Sequence, residues 1–275
     1  SALVYPYWHP SGKYVAFSVN TTSQNFFSHN PNRIEVYDSA SDIVLYDVDK
    51  HEISWSPLTR SEDSFETFPT FSPDGRSLYF CSAKAVSPMP QEYSKVKYSL
   101  CRIDFNPDDA SFGDIVDTLY NGAANGKSVS FPRISPDGKF LVFTLQQYGN
   151  FSIWHKDADL WVMNMSTGEI RPLEAANSED VDSYHSWSGN SRWLVFSSRR
   201  IDGLYTRPFI CHIDENGQAS KPFLLPQRNP LEYYADQMVS YNLSELMERK
   251  VTVSRHKIAN TIRNTSGTDI TVKGK

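Results

Sequence analysis

The side chains with the greatest chemical reach are gathered in four stretches, 20–42, 83–98, 146–159 and 199–208. They hold His29, Arg33, Tyr93, Trp154, His155, Arg199, Arg200, Tyr205 and Arg207. Aromatic rings and guanidinium groups bury much area at little entropic cost and are the usual anchors of interfaces. The chemistry they suggest is recognition, with a protein or peptide as partner. Arg133 is a tenth candidate. It stands in an alternating apolar stretch, where its charge would need an acidic partner or water. Glu66 and Asp182 hold matching places in two other segments and could supply charge near it.

Patterns for bond-breaking chemistry are sparse. The seven histidines, His9, His29, His51, His155, His185, His212 and His256, form no H-E-x-x-H pair, and no G-x-S-x-G elbow occurs. Asp157-Ala158-Asp159 lacks the glycine and the further ligands of a calcium loop. Neither metal nor cofactor is therefore expected. Cys81, Cys101 and Cys211 make an odd, widely spaced set with no C-x-x-C, which reads as strand residues and not a disulfide framework. A carboxylate pair assembled across distant segments, as glycoside hydrolysis uses, would be invisible at this level. An enzyme acting on a sugar or lactone at a tunnel mouth stays open as an alternative.

Four copies of one unit must position these side chains. Tyr5 to Phe17, Phe68 to Phe80, Phe131 to Phe143 and Tyr184 to Phe196 align without gaps. Phe17 to Phe80 and Phe80 to Phe143 are 63 residues each, and Phe143 to Phe196 is 53. Ser72-Pro73-Asp74-Gly75 and Ser135-Pro136-Asp137-Gly138 are turn sequences: proline presets φ, and glycine takes the positive φ that follows. Apolar runs on either side make each copy a hairpin. The fourth copy has Asn190-Ser191 in place of the Asp-Gly pair, so a looser turn is expected there. A second hairpin follows each first one, from Ile43, Leu100, Leu160 and Ile210 onward. Four strands per repeat predict an all-β fold, a β-propeller of four-stranded antiparallel blades. Such a blade is bare on one face until it stacks on a neighbour.

The blades are expected at about 1–60, 61–122, 123–176 and 177–228, with a C-terminal extension over 229–275. A helix is expected from Leu243 to Lys250, then a weak strand and a polar tail. Two aligned columns alternate on the first strands. The constant one, Trp8, Phe71, Ile134 and Trp187, is predicted to be blade-to-blade core. The varied one, Tyr7, Thr70, Arg133 and Ser186, is predicted to face a solvated tunnel. The 275 residues carry a net charge of −5, which supplies no basic field for a nucleic-acid backbone. No apolar run approaches the length of a membrane span. The first residues have neither the basic flank nor the apolar stretch of a signal peptide.

The repeats resemble the TolB-like, WD40-like propeller repeats often called PD40. Ser72-Pro73-Asp74-Gly75 with Phe80, Ser135-Pro136-Asp137-Gly138 with Phe143, and Phe196 to Tyr205 carry the likeness, which covers about residues 1–226. It implies a non-enzymatic binding platform in a bacterial envelope and a periplasmic location. It also admits an accessory or gating propeller of a larger haem-containing or peptidase protein, though no haem-attachment segment lies in this chain. That family commonly closes with six blades, whereas four are visible here. The abrupt start within a first strand suggests removal of preceding sequence. The C-terminal segment is expected to complete a blade with the N-terminal residues and close the ring.

Overall fold

The computed structural model describes every residue except Ser1, 29–33, Asp236, Leu243, Glu248, Gly274 and Lys275. His29 and Arg33 thus lie outside the described residues. The chain forms four antiparallel sheets, the blades of a four-bladed propeller. Blade one holds β1 (Ala2–Trp8), β2 (Tyr14–Phe26), β3 (Ile34–Asp47) and β4 (Glu52–Ser54). Blade two holds β5 (Ser64–Phe71), β6 (Ser77–Lys84), β7 (Ser99–Asn106) and β8 (Ser111–Tyr120), followed by the one-turn helix α1 (Gly122–Asn125). Blade three is β9 (Ser128–Ile134), β10 (Phe140–Gln146), β11 (Asp159–Asn164) and β12 (Ile170–Pro172). Blade four is β13 (Asp182–Trp187), β14 (Trp193–Ser198), β15 (Arg207–His212) and β16 (Phe223–Leu224).

The first turns of blades two, three and four share one hydrogen-bond pattern. In blade two Ser72 Oγ donates to Asp74 Oδ1 and accepts from Ser77 N, while Gly75 N donates to Ser72 O at 2.9 Å. Blade four repeats this with other residues. Ser188 Oγ donates to Asn190 Oδ1 at 2.7 Å, and Ser191 N donates to Ser188 O at 2.9 Å. Ser191 adopts φ 59°, the conformation glycine takes at 72° in Gly75. The looser turn expected there is corrected: the side-chain bonds hold the same geometry without glycine.

Aromatic residues fill the axis. Tyr5, Phe68, Phe131 and Tyr184 open the four aligned segments, and all have positive φ, between 50° and 57°. The pairing register slips beside each one, so each inner strand carries a bulge. The ring centroids of Tyr5 and Phe68 are 4.4 Å apart, those of Phe68 and Phe131 5.1 Å, and those of Phe131 and Tyr184 5.0 Å. Tyr5 also meets Phe131 at 6.4 Å, across non-adjacent blades. The solvated tunnel expected from the sequence is replaced by this plug. Proline follows the bulged residue in three copies, where an inner edge needs no further N–H donor.

Apolar clusters fill the spaces between successive blades. Phe71, Ile134 and Trp187 each face the preceding blade and are 2%, 6% and 9% exposed. Trp8, at the same place in blade one, is 58% exposed, so among the described residues no sheet covers that face.

The C-terminal extension differs from expectation. The described residues of 243–250 are not helical. Helices lie instead at α2 (Pro230–Ala235) and α3 (Arg255–Asn264). Ser254 caps α3 by accepting from Lys257 N, and the cap sets its start. The segment between them runs over blade four, where Ser197 Oγ donates to Tyr241 O and Asn242 O, and Ser186 Oγ to Ser244 O. The final strand, β17 (Thr271–Val272), pairs parallel with β4 on the outer edge of blade one. It does not sit beside β1, so it does not complete a blade in the way predicted. Among the described residues no helix is long and apolar enough to cross a membrane.

Candidate functional site

The loops joining second to third strands share one face, and a long arm crosses it. The stretch 20–42 was expected to be loop. Its residues 20–26 and 34–42 instead continue β2 and β3, paired from Tyr14–Asp47 out to Phe26–Ile34 with one register shift. The arm brings Glu35 and Asp38 over the loops of blades two and three. Asp38 Oδ2 accepts from Asn20 Nδ2 at 2.8 Å and from Asn150 Nδ2 at 2.6 Å, and Oδ1 accepts from Thr22 Oγ1 at 2.6 Å. Glu35 accepts from Tyr148 OH at 2.9 Å, and His155 Nε2 lies 3.1 Å from its other oxygen. Tyr93 OH donates to Asn150 Oδ1 at 3.0 Å and accepts from Asn150 N at 3.1 Å. Burial raises the Asp38 carboxyl, and its three donors oppose that shift. Tyr93 and His155 are thus buried and committed to the chain's own groups. They belong to a polar clamp that joins three blades.

The far side of the face, over blade four, is built differently. The Arg199 guanidinium lies over the Trp154 ring at 4.9 Å, both half-buried. The following turn is pinned by Asp202 Oδ1, which accepts from Leu204 N and Tyr205 N, each at 2.8 Å. That turn holds Ile201 at 51% and Leu204 at 70% exposure. These two aliphatic residues were missed in the sequence because neither type nor spacing marks an exposed leucine.

The other arginines turn inward. Arg200 Nη2 donates to Asp182 Oδ1 at 2.5 Å and to Ala176 O at 2.6 Å, with its guanidinium over Phe209 at 4.6 Å. Burial still leaves Asp182 raised, against the pull of Arg200. Arg207 is buried and donates to Val239 O, Gln237 O and Tyr234 O, holding the C-terminal extension, and lies over the half-buried Tyr205 ring at 5.2 Å. Arg133 covers the rings of Phe131 at 4.4 Å and Tyr7 at 5.2 Å and donates to Pro132 O. Aromatic faces and a carbonyl thus stand against it where an acidic partner or water was expected, and the Glu245 carboxylate adds favourable charge. Burial lowers its pKa.

Glu66 takes the place in blade two that Asp182 takes in blade four, but no cation among the described residues meets it. Ser82 Oγ donates to its Oε1 at 3.1 Å, and burial pushes its pKa up to about 7. His185 donates from Nε2 to Val142 O, and burial lowers it to about 3, so its ring is neutral. Cys81, Cys101 and Cys211 are free and buried. Among the described residues no group of three His, Cys, Asp or Glu side chains could hold a metal ion. A cleft of about 970 Å³ opens between blades one and two, lined by Asp42, Trp55, Arg60, Lys84 and Met89 among others. Arg60 lies 4.1 Å over the Trp55 ring and 3.6 Å from Asp42. None of the eight described candidate residues lines it.

No family model matches this chain, and no curated protein does. Solved β-propeller structures do. An oligogalacturonate lyase in complex with manganese is 13% identical with a TM-score of 0.52, covering 81% of this chain and 53% of that one. The Kuenenia stuttgartiensis hydrazine synthase is 12% identical with a TM-score of 0.51, covering 82% and 33%. This chain thus spans about half of the first and a third of the second. TolB proteins are also among the similar structures. The putative TolB from Agrobacterium tumefaciens is 16% identical at a TM-score of 0.45, over 81% of this chain and 82% of that one. At these identities the likeness is one of fold.

Proposed function

We propose that this chain is a non-enzymatic propeller module that binds a protein or peptide partner through the blade-four side of its expanded-loop face. The observation that carries this reading is the pinned turn beside the Trp154–Arg199 stack, with Ile201 and Leu204 held out to solvent. Exposed aliphatic side chains on a rigid turn, next to an aromatic ring and a guanidinium, have the composition of an interface anchor. The clamp keeps the neighbouring loops in place, so little conformational entropy is lost on binding. The repeats' resemblance to TolB-like propellers supports a periplasmic or envelope-associated setting.

The test is selection of peptides from a random display library on the full chain. Peptides that bind wild type are then measured against a Trp154→Ala, Leu204→Asp double variant. We expect at least a tenfold loss of affinity. No enrichment, or equal binding to the variant, would count against this site.

The cleft between blades one and two favours a second reading, a small polar ligand or a sugar-like substrate, since its volume suits one. Turnover or binding across a sugar and lactone panel, lost on Arg60→Ala, would support that reading over the first.

A further inference from the structure

The outer edge of blade one differs from the other three. A propeller's fourth strand presents unpaired N–H and C=O groups to solvent, which makes it a template for another strand. Among the described residues β8, β12 and β16 have no strand beyond them, whereas β4 has β17. The pairing is parallel, unlike any within the blades, and it rests on little. Thr271 N donates to His51 O at 3.0 Å and Lys273 N donates to Ile53 O at 2.9 Å. Lys273 Nζ meets Glu52 Oε2 at 2.7 Å, a surface pair of the weak kind. Thr271 and Val272 are exposed, and α3, which leads to them, has no buried residue.

A cavity of about 530 Å³ adjoins this edge, between blade one and the β7–β8 turn. Asp47, Glu52, Asp109 and Asp114 contribute four carboxylates to its lining, against Lys50 and the tail's own Lys273. The edge therefore pairs with an extended backbone, and the cavity beside it attracts positive charge. The tail supplies both.

We propose that the outer edge of blade one is a strand-acceptor site for an extended, basic peptide segment running parallel to β4, and that the C-terminal strand is its replaceable occupant. Main-chain bonds to His51 O and Ile53 O set the register, and a cation two residues past the first donor meets Glu52. This is recognition by strand addition, on a surface separate from the expanded-loop face.

The experiment uses the full chain and a fluorescein-labelled peptide of residues 266–275, read by anisotropy. Thr271→Pro in the protein removes the N–H that donates to His51 O and frees the edge, leaving the blades untouched. We expect the peptide to bind this variant at least tenfold more tightly than wild type. We further expect at least a fivefold loss when Glu52→Gln is added, and a similar loss for the peptide carrying Lys273→Glu. An unchanged circular dichroism spectrum and thermal midpoint check that the variants fold. A peptide that binds neither protein, binds both equally, or ignores the charge changes would overturn the proposal. Wild-type dimers formed by exchanging tails would support the same acceptor, with a second copy as donor.

Discussion

The two halves of the expanded-loop face use similar residue types in opposite ways. On the side of blades one to three, histidine, tyrosine and carboxylate groups are drawn inside and bonded to one another across more than 100 residues of chain, as in Glu35–His155 and Asp38–Asn150. Over blade four, an arginine–tryptophan stack and two aliphatic residues stay at the surface. Burial decides the role. A polar group without water must be satisfied by its own chain and then stabilises the fold, while a half-exposed group keeps its free energy for a partner.

Removing partners tests this contrast. The largest effect is expected for Arg200→Ala beneath the blade-four side, which takes the guanidinium from the buried Asp182 carboxyl and leaves it the Ser178 and Ser198 hydroxyls. A loss of about 3–4 kcal/mol at pH 7 is expected from urea unfolding. Asp38→Ala in the clamp strands three donors, two of them amides, and should cost about 3 kcal/mol by the same measurement. An effect below about 1 kcal/mol would mean that water replaces the carboxylate and that the clamp is not a stabilising element.

Glu66 sharpens the comparison through pH. Its folded pKa, about 7, lies above the 4.5 of the free side chain because burial penalises the charged form. The folded state therefore holds a proton that the unfolded state releases between these values. The penalty is absent below pH 4.5, grows as pH rises, and is complete above about 7. Glu66→Gln should match wild type at pH 4 and exceed it by roughly 2–3 kcal/mol at pH 8. A flat difference across that range would show that Glu66 finds a cation or water in solution. The smallest effect is expected for Leu204→Asp, within about 0.5 kcal/mol in stability, although it should weaken the partner binding proposed above. A large destabilisation would make this turn part of the fold and not an interface.

The scaffold was legible because its signals are local and repeated. Ser-Pro-Asp-Gly fixes a turn within four residues, and recurrence at 63 residues separates a blade from chance. Even the fourth copy kept its turn, with Ser188 and Asn190 supplying the bonds. The candidate site was only partly legible. His155 and Trp154 are adjacent in sequence, yet one is 1% exposed and the other half-buried beside Arg199. What separates them is Glu35, 120 residues away on an arm that composition marks as loop. Arg200 and Arg207 looked like anchors for a partner because their acceptors, Asp182 and the carbonyls of 234–239, are found only when the chain folds. The helix misplaced at 243–250 has a related cause: the backbone at and just before its start is taken up, Ser244 O by Ser186, Asn242 O by Ser197 and Tyr241 N by Thr206, and tertiary contact overrides propensity.

The plug of aromatic rings bears on how the molecule comes apart. In a linear array each repeat touches only its immediate neighbours, so unfolding can start in one unit and halt before the next. Here Tyr5 of the first blade reaches Phe131 of the third, and Phe131 touches Tyr184 of the fourth. Loosening any one blade withdraws a ring that the others lean on. Melting is therefore expected as a single cooperative transition, with the same midpoint for tryptophan emission and for backbone circular dichroism.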